Sequence, residues 1–518
     1  MASAREGEAP VPNRAVITVC AMVATLMQAL DGTIANVALP YMQGGLAASA
    51  DQITWVLTSY ITAAAILTAP VGFLAARFGR KAVFLVSVGG FTLASLLCGA
   101  AQSLEQMVIF RLLQGGFGAA LVPLSQSTML DIYPPSQRGQ AMAIWGMGVM
   151  VGPILGPRLG GLLTESLNWR WVFYVNLPFG LLAFAGLLVF LPREGLDRER
   201  GFDWLGFGVL ALGIGALQVM LDRGELQNWF GSVEIIVEAT LAGLGIYLFL
   251  VHMATAEHPF IPPRIFRDRN FLAGMGVMFV VGAILFSTAA LLAPYLQTLG
   301  NYPVFTAGLM LAPRGLGTMA AMLIAGRLAT RFDPRAVMLF GILLLAWTLH
   351  DMTGWTPDVS EWTLVTTTVL QGVGLGFVFI PLNMLAFATL EPALRTDGTA
   401  LVSLMRNLGS AIGISVMAAL LTRNTQVNHE ELAAHVSLLN RMFEWPAIQQ
   451  WWNPATRQGA ALLNAEVTRQ ASIIAFGNDF KALMLLTLAM LLLLPLMRRP
   501  PRAAASGAPH GAPHAAMD

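Results

Sequence analysis

Two ionisable side chains stand inside long apolar stretches of the sequence, where their chemistry would be proton exchange. Asp31 lies in the stretch 15–39 and Arg111 in the stretch 105–130. At 1.5 Å per helical residue, they lie about 6 Å and about 10 Å from the middle of their stretches, toward the same side. Burial favours a protonated carboxyl and a nearby cation favours an ionised one, so making and breaking this contact would switch proton binding at Asp31. The alternative is a fixed ion pair that orders two helices.

Other polar and aromatic side chains in the apolar stretches are candidates for a substrate cavity. Polar groups inside a membrane are costly, so each is a functional hypothesis, with helix packing as the alternative. Arg158 and Arg314 are candidate contacts for anionic substrates, although such long side chains can also reach the membrane interface. The cavity candidates are Gln28, Asn36, Trp55, Tyr60, Gln114 and Arg406.

The composition indicates that these residues belong to a membrane protein. Of the 518 residues, 56% are hydrophobic and 11% are charged, whereas soluble domains carry roughly a quarter charged residues. Intrinsic disorder needs the opposite balance. The net charge of +1 provides no basic surface for nucleic acid. Both lysines, Lys81 and Lys481, precede Ala, so no Walker A motif for ATP exists. We expect no enzyme activity, cofactor or metal.

Fourteen apolar segments are long enough to cross a bilayer, which takes about 20 helical residues. Most of the 30 Lys and Arg residues fall in loops and tails on one side of these segments. By the positive-inside rule this side is cytoplasmic, and an even number of spans places both termini there. The predicted segments are 15–39, 52–76, 82–101, 105–130, 140–164, 171–191, 204–222, 233–253, 271–298, 305–329, 336–352, 362–390, 398–422 and 480–497.

An internal repeat predicts two related halves. The segment 72–83 resembles 326–337, and the Leu-Gln-Gly sequence at 113–115 recurs at 370–372. The offset between the repeated segments is longer than the stretch that six helices would occupy, so we expect two extra helices between two six-helix bundles. Parallel halves of this kind place a substrate site at their interface. The predicted regions are a cytoplasmic N-terminus at 1–14, an N-terminal bundle at 15–191, two linker helices at 192–270, a C-terminal bundle at 271–498 with a periplasmic loop at 423–478, and a disordered tail at 499–518.

Two glycine-containing motifs predict close contacts between helices. The first has glycines four residues apart on one helix face, with prolines that interrupt backbone hydrogen bonding. A gating role and simple tight packing are both consistent with it. The second follows the second span, in a predicted cytoplasmic loop. The residues are Gly148, Gly152, Pro153, Gly156, Pro157, Gly160 and Gly161 in the first motif and Gly72, Arg77, Gly79, Arg80 and Lys81 in the second.

The sequence resembles the fourteen-helix drug:proton antiporter branch of the major facilitator superfamily, of the EmrB/QacA type. Four motifs carry the resemblance: "LDGTIANVALP" at 30–40, "RLLQGGFGA" at 111–119, "GMGVMVGPILGPRLGG" at 146–161 and "NWRWVFYVNLPFG" at 168–180. It implies the major facilitator fold, export of amphipathic compounds against proton influx by alternating access, proton transfer at Asp31 and Arg111, and gating by the first glycine motif. The loop motif departs from the family pattern, because Ala76 stands where an acidic residue is usual.

The resemblance also implies a location and partners. The protein would be a bacterial inner-membrane permease, driven by the proton motive force, that works with a periplasmic membrane-fusion adaptor and an outer-membrane channel. The runner-up is a narrow-specificity exporter of an organic acid, fatty acid or siderophore on the same fold. An alternative of another class is a membrane sensor without transport activity or a lipid-processing protein.

Overall fold

The computed structural model describes residues 13–134, 137–192, 201–436, 445, 452–453 and 455–498. All regular secondary structure in these residues is helical. The predicted N-terminal region up to residue 12 and the predicted tail at 499–518 lie outside the described residues. So do parts of the predicted linker region and of the predicted loop 423–478, and the side chains of Pro153 and Pro157.

Thirteen of the described helices are long and apolar enough to cross a membrane, and a pair of helices bent by 56° supplies a fourteenth span. This confirms the predicted all-α polytopic architecture. The spans are α1 Arg14–Gly45, α2 Trp55–Thr68 with Val71–Phe78, α3 Arg80–Ala100, α4 Leu104–Ile132, α5 Arg138–Ser166, α6 Trp171–Phe190, α7 Trp204–Arg223, α8 Val233–Thr255, α9 Arg269–Leu299, α10 Val304–Arg331, α11 Pro334–Thr353, α12 Glu361–Ala386, α13 Arg395–Ala434 and α14 Arg457–Leu493.

The last two spans are longer than the sequence predicts. Span α13 continues to Ala434 and α14 begins at Arg457, so both ends of the predicted loop 423–478 are helical. The extensions contact each other, and Asn428 Nδ2 donates to the Ala471 carbonyl oxygen at 3.4 Å. Hydropathy locates the part of a helix that can lie in lipid, but it does not locate the end of the helix. Shorter helices cover Ala50–Ile53, Trp229–Gly231, Pro263–Arg267, Pro392–Leu394 and Leu494–Leu496.

Two groups of six spans repeat the same packing. In the first group α1 packs on α5 and α6, and α4 packs on α2 and α3. In the second group α9 packs on α13 and α14, and α12 packs on α10 and α11. Spans α7 and α8 pack on each other, and α7 also contacts α2 and α13. The short connections between spans leave neighbours antiparallel, so the charged loops collect at the ends of the bundle.

The two groups contact each other along α5 and α10, where Gly139 lies against Gly326 and Ile154 against Gly315, and they make polar contacts near one end of the bundle. We call it the basic end, because Arg80, Lys81 and Arg395 lie at the helix termini there, and we call the opposite end the far end. Close to the basic end, Gln126 Nε2 of α4 donates a 2.6 Å hydrogen bond to Asn383 Oδ1 of α12. Both side chains are buried. In this conformation the halves are therefore joined at the basic end.

Candidate functional site

Asp31 and Arg111 form a buried ion pair between α1 and α4, so the predicted contact is present. Arg111 Nη1 lies 2.7 Å from Asp31 Oδ2, and neither side chain is exposed. Gln114 Nε2 of α4 donates to Asp31 Oδ1 at 2.8 Å, and Asn176 Nδ2 of α6 donates to the same oxygen at 3.2 Å. Three side chains on two helices therefore donate hydrogen bonds to the carboxylate.

Arg111 is held by α2 as well as by Asp31. Its Nε donates to the Val56 carbonyl oxygen at 3.0 Å, and its Nη1 also donates to Gln114 Oε1 at 2.8 Å. The Tyr60 ring centroid lies 4.1 Å from the guanidinium carbon, and the faces of aromatic rings attract cations. Nη2 is buried and has no hydrogen-bond partner among the described residues. The guanidinium is thus fixed in position with one donor unused.

The local sequence of α4 explains how these groups meet. Arg111 and Gln114 are three residues apart and therefore lie on the same face of the helix. Gly115 follows directly, and a Cβ at this position would lie 2.3 Å from the Tyr60 carbonyl oxygen. The absence of a side chain lets α4 approach α2 closely enough for Arg111 to reach both the backbone of α2 and Asp31 on α1.

The pair is neutral as a whole and closed to water, which defines the chemistry it can perform. The ionised carboxylate is stable there only while Arg111 stays beside it, because a buried charge without its partner costs about 3–5 kcal/mol. A proton placed on Asp31 would remove its charge and release the guanidinium. Protonation can therefore be linked to separation of α1 from α4.

The predicted cavity residues fall into two groups. Tyr60 and Gln114 are buried against the ion pair and take part in it directly. Gln28 and Trp55 are half-buried, and Asn36 is exposed. The structure brings the first two to the acid but does not bring the other three into one cluster with it. Contact of any of them with a substrate stays a prediction.

Two arginines of the second group of spans, one buried and one half-buried, have no acidic partner among the described residues. Arg314 Nη2 donates to the Leu285 carbonyl oxygen of α9 at 3.2 Å, and its buried Nε has no partner among the described residues. Arg406 is half-buried, and a Cβ at Gly282 would lie 2.2 Å from its carbonyl oxygen. The side chain of Arg314 and the backbone of Arg406 therefore lie against one turn of α9. Arg158 is exposed, which agrees with a side chain that reaches the membrane interface.

The first glycine motif forms the contact between α5 and α1. A Cβ at Gly152 would lie 2.5 Å from the backbone carbon of Ala29, and one at Gly156 would overlap Thr33. Gly148 and Gly160 continue this face, whereas a Cβ at Gly161 would meet nothing within 4 Å. The motif thus sets the position of the helix that carries Asp31. Its role in gating stays a prediction.

The second motif contributes to an ionic bridge between the halves at the basic end. Arg80 Nη1 of α3 lies 2.5 Å from Asp131 Oδ2 at the end of α4. Arg395 Nη1 of α13 lies 2.8 Å from the other oxygen of the same carboxylate. Lys81 Nζ donates to the Leu191 carbonyl oxygen at 2.6 Å and so contacts the end of α6. Asp131 therefore links two cations that belong to different halves.

The glycines of the second motif make room for this bridge. A Cβ at Gly72 would overlap Asp397 of α13, so the end of α2 lies directly against the second half. Gly79 has a φ of 88°, which favours glycine, in the tight turn between α2 and α3. Arg77 is half-buried. Although Ala76 replaces the usual acidic residue, Asp131 supplies an acidic group that joins the halves at this end.

Three functional side chains do not follow from the sequence alone. Asn176 contacts Asp31 from α6, and although it lies in the motif at 168–180, that motif does not show which of its residues faces α1. Asp131 lies one residue after the predicted span 105–130. Asp479 lies one residue before the predicted span 480–497, and the structure buries it completely. Asp131 and Asp479 could be predicted as buried helical residues only if their helices were expected to continue beyond the apolar segments.

Fourteen membrane spans, twelve of them in two repeated groups of six, with an ion pair closed inside the membrane, define a multi-pass membrane transporter. The family model described as Major Facilitator Superfamily matches residues 21–414. The chain belongs to this superfamily.

Relatives and a solved structure agree with this assignment. The chain is 33% identical over 481 residues to the multidrug export protein EmrB of Haemophilus influenzae, covering 91% of this chain and 93% of that protein. It is 33% identical over 486 residues to the fatty acid resistance protein FarB of Neisseria gonorrhoeae, covering 93% and 96%. The human organic anion transporter MFSD10 has the same fold, with a TM-score of 0.57 at 16% identity, covering 92% and 100%. The predicted resemblance to EmrB-type transporters is confirmed.

Proposed function

We propose that the protein exports amphipathic toxic compounds in exchange for protons by alternating access. Its relatives include proteins named for multidrug export and for fatty acid resistance, and these are transporters, a class distinct from enzymes. The observation that carries the proton coupling is the ion pair of Asp31 and Arg111, in which neither side chain is exposed. A membrane sensor without transport activity or a lipid-processing protein predicts no proton movement on addition of substrate, so that measurement separates these alternatives from the proposal.

In the proposed coupling, a proton and Arg111 compete for the carboxylate of Asp31. A proton that enters from outside neutralises the carboxylate and frees Arg111, and substrate binding from inside favours the return to the ion pair and release of the proton. A proton that moves through a potential of ~150 mV supplies about 3.5 kcal/mol. This free energy supports a concentration ratio of roughly 300-fold per proton.

We propose that the basic end faces the cytoplasm of a bacterial cell and that both termini lie there. The positive-inside rule supports this orientation, because the arginines and lysines concentrate at that end. The contacts of Gln126 with Asn383 and of Asp131 with Arg80 and Arg395 then close the cytoplasmic side. The far end would face the periplasm, and in an outward-facing state the protein would take up protons and release substrate on that side.

The partners implied by the family resemblance remain part of the proposal. They are a periplasmic membrane-fusion adaptor and an outer-membrane channel. The helical extensions of α13 and α14 project from the far end, and this is where a periplasmic adaptor could bind. The drug resistance of cells that contain the transporter but lack the adaptor measures how far export depends on the adaptor. Full resistance of these cells would contradict a role for the adaptor.

Proton movement in everted membrane vesicles tests the proposed function. Addition of a panel of amphipathic compounds to energised vesicles is expected to raise the internal pH with the wild-type protein. Asp31→Asn is expected to slow this movement at least 100-fold, because the amide cannot carry a proton. Glu361→Gln, at the exposed start of α12, is the matched control. Proton movement that survives in Asp31→Asn contradicts the proposed coupling.

Arg314 and Arg406 favour a second candidate, in which substrates carry a carboxylate. The side chain of Arg314 and the backbone of Arg406 lie against one turn of α9, without an acidic partner for either arginine among the described residues, and anionic groups bind arginine through strong charge-assisted hydrogen bonds. FarB, whose name refers to fatty acid resistance, is among the relatives. Arg406→Gln is expected to weaken export of anionic members of the panel about tenfold or more and to spare cationic ones. Arg158→Gln, at an exposed arginine, is the control, and equal losses for both charge classes contradict this candidate.

A further inference from the structure

A second carboxylate is buried inside the membrane, in the half of the protein that does not contain Asp31. Asp479 belongs to α14 and is 0% exposed. It lies fourteen residues from Leu493, the end of α14 at the basic end, which corresponds to about 21 Å along the helix. Asp31 lies seventeen residues from Arg14 on the same basis, about 26 Å from the basic end. Both acids therefore lie within a hydrocarbon layer about 30 Å thick.

Asp479 has no cation beside it. Both carboxyl oxygens are buried and have no hydrogen-bond partner within the described residues, and none of the ion pairs found there includes this residue. Within the part of the chain that the structure describes, the uncharged amide of Asn424 on α13 acts on the carboxyl group, without a hydrogen bond of normal distance and angle. An ionised carboxylate in this position would lack the hydrogen bonds and the positive charge that Arg111, Gln114 and Asn176 provide to Asp31.

Among the described residues, the helices packed against α14 place no buried cation near the carboxyl group of Asp479. On α9, the buried Tyr295 directs its ring onto Phe476, 5.4 Å between centroids. On α11, Asp351 accepts hydrogen bonds from Trp355 and Thr367. The remaining ionisable groups near this level are exposed: His350 on α11, Arg423 on α13 and Lys481 on α14 itself. A buried carboxyl group in such surroundings is stable in its protonated, neutral form.

A groove lies on the far-end side of Asp479. It has a volume of about 460 Å³ and is formed by α9, α13 and α14. Thr425 of α13 and Ser472 and Phe476 of α14 line it, and Phe476 is the lining residue of α14 nearest to Asp479 in sequence. Phe476 is three residues from Asp479, about 5 Å along the helix. Water in the groove would come within one helical turn of the carboxyl group, while the basic end is closed.

We propose that Asp479 is a second proton-binding site, which holds a proton in this conformation and exchanges it with the far end through the groove of α9, α13 and α14. Its use in transport depends on the proton-coupled function proposed above, but its protonation and its route of exchange do not. A molecule with two such sites would hold one proton at Asp479 while Asp31 is ionised and paired.

Infrared spectroscopy of the full chain in lipid nanodiscs tests the protonation without any substrate. Protonated carboxyl groups absorb at a frequency distinct from that of carboxylates and amides. At pH 7 the wild type and Asp31→Asn are expected to show an absorption of this kind that Asp479→Asn lacks. Equal spectra for the wild type and Asp479→Asn overturn the proposal. Because no transport is measured, loss of coupling in Asp31→Asn together with equal spectra would uphold the proposed function and reject only this site.

Hydrogen–deuterium exchange of the same absorption tests the route. On transfer to D₂O, Thr425→Trp is expected to shift the Asp479 absorption at least tenfold more slowly than the wild type, because the bulky ring fills the groove. Thr240→Trp, at an exposed position on α8, is the matched control and is expected to exchange at the wild-type rate. Equal rates in the two variants overturn exchange through the groove.

Discussion

The two halves of the protein each contain a carboxylate with 0% exposure, at a similar depth, but surround it differently. Asp31 accepts hydrogen bonds from Arg111, Gln114 and Asn176 and is paired with a cation. Asp479 has no cation beside it among the described residues, and the uncharged Asn424 faces it instead. The first site stabilises a charge and the second stabilises a neutral acid. A repeated fold can therefore hold two carboxyl groups in opposite protonation states within one conformation.

The repeat shows where this difference arises. The Leu-Gln-Gly sequence recurs 257 positions apart, and each glycine lets its helix approach a backbone carbonyl, of Tyr60 for Gly115 and of Arg314 for Gly372. Gln114 binds the ion pair, whereas Gln371 Nε2 contacts Met352 Sδ at 4.0 Å and its buried Oε1 has no partner among the described residues. The backbone contacts repeat and the polar chemistry does not.

Removing the cation of the first site gives the largest expected effect. Arg111→Met leaves Asp31 buried and unpaired, as Asp479 is, and is expected to lower the free energy of unfolding by about 3–5 kcal/mol at high pH. The loss is expected to shrink as the pH falls, since protonation of Asp31 removes the uncompensated charge. Denaturation of the purified protein over a pH series measures this. The double variant Asp31→Asn with Arg111→Met should regain stability, and a stable single variant at high pH would contradict the role of the pair.

Adding a cation to the second site is the converse change. Asn424→Lys places an ammonium group beside Asp479, where a charge-assisted hydrogen bond contributes about 1.5–3 kcal/mol. The carboxyl group is expected to stay ionised at pH 7, so its protonated absorption should disappear from the infrared spectrum. Asn424→Met, which adds length without charge, should retain it. Retention of the absorption in Asn424→Lys would show that the missing cation is not what distinguishes Asp479 from Asp31.

Disturbing the helix that carries Asp31 should affect one acid and spare the other. Gly152→Val inserts atoms against Ala29 and is expected to destabilise the protein by about 1–3 kcal/mol and to reduce Asp31-dependent proton movement in vesicles. The absorption of Asp479 should stay unchanged. Gly161→Ala, where a Cβ meets nothing within 4 Å, is the control. An equal effect of the two substitutions would mean that the glycine face does not position α1.

Breaking the ionic bridge between the two halves at the basic end gives the smallest expected effect on stability. Asp131→Asn removes the carboxylate that joins Arg80 to Arg395, and its side chain is 30% exposed, so the contribution is about 0.2–1 kcal/mol. Spin labels at Phe78 and Phe332, exposed at the basic end, should report longer distances in the variant, once Cys20 and Cys98 are replaced by Ser. Unchanged distances would mean that Asp131 does not hold the basic end closed.

The pairing of Asp31 with Arg111 was predictable because helical rise converts sequence position into depth, and two opposite charges at similar depth gain by meeting. The fourteen spans were predictable because apolar length is what a bilayer requires. The third group at the carboxylate, Asn176, was not predictable, since the rotation and tilt of α6 decide whether its side chain faces α1. Those depend on packing with α1 and α3 and not on the segment 171–191 itself.

By itself the sequence determined the number of spans, the two-fold repeat, the family and the first buried acid, because each depends on local apolar content or on a contiguous motif. Tertiary structure alone decided that Asp479 is enclosed without a cation and that Asp131 connects Arg80 with Arg395. Both acids sit at the margin of an apolar segment, where hydropathy is ambiguous. Their surroundings come from helices distant in the chain, so only the packed arrangement fixes whether each carboxyl group meets a cation, an amide or water.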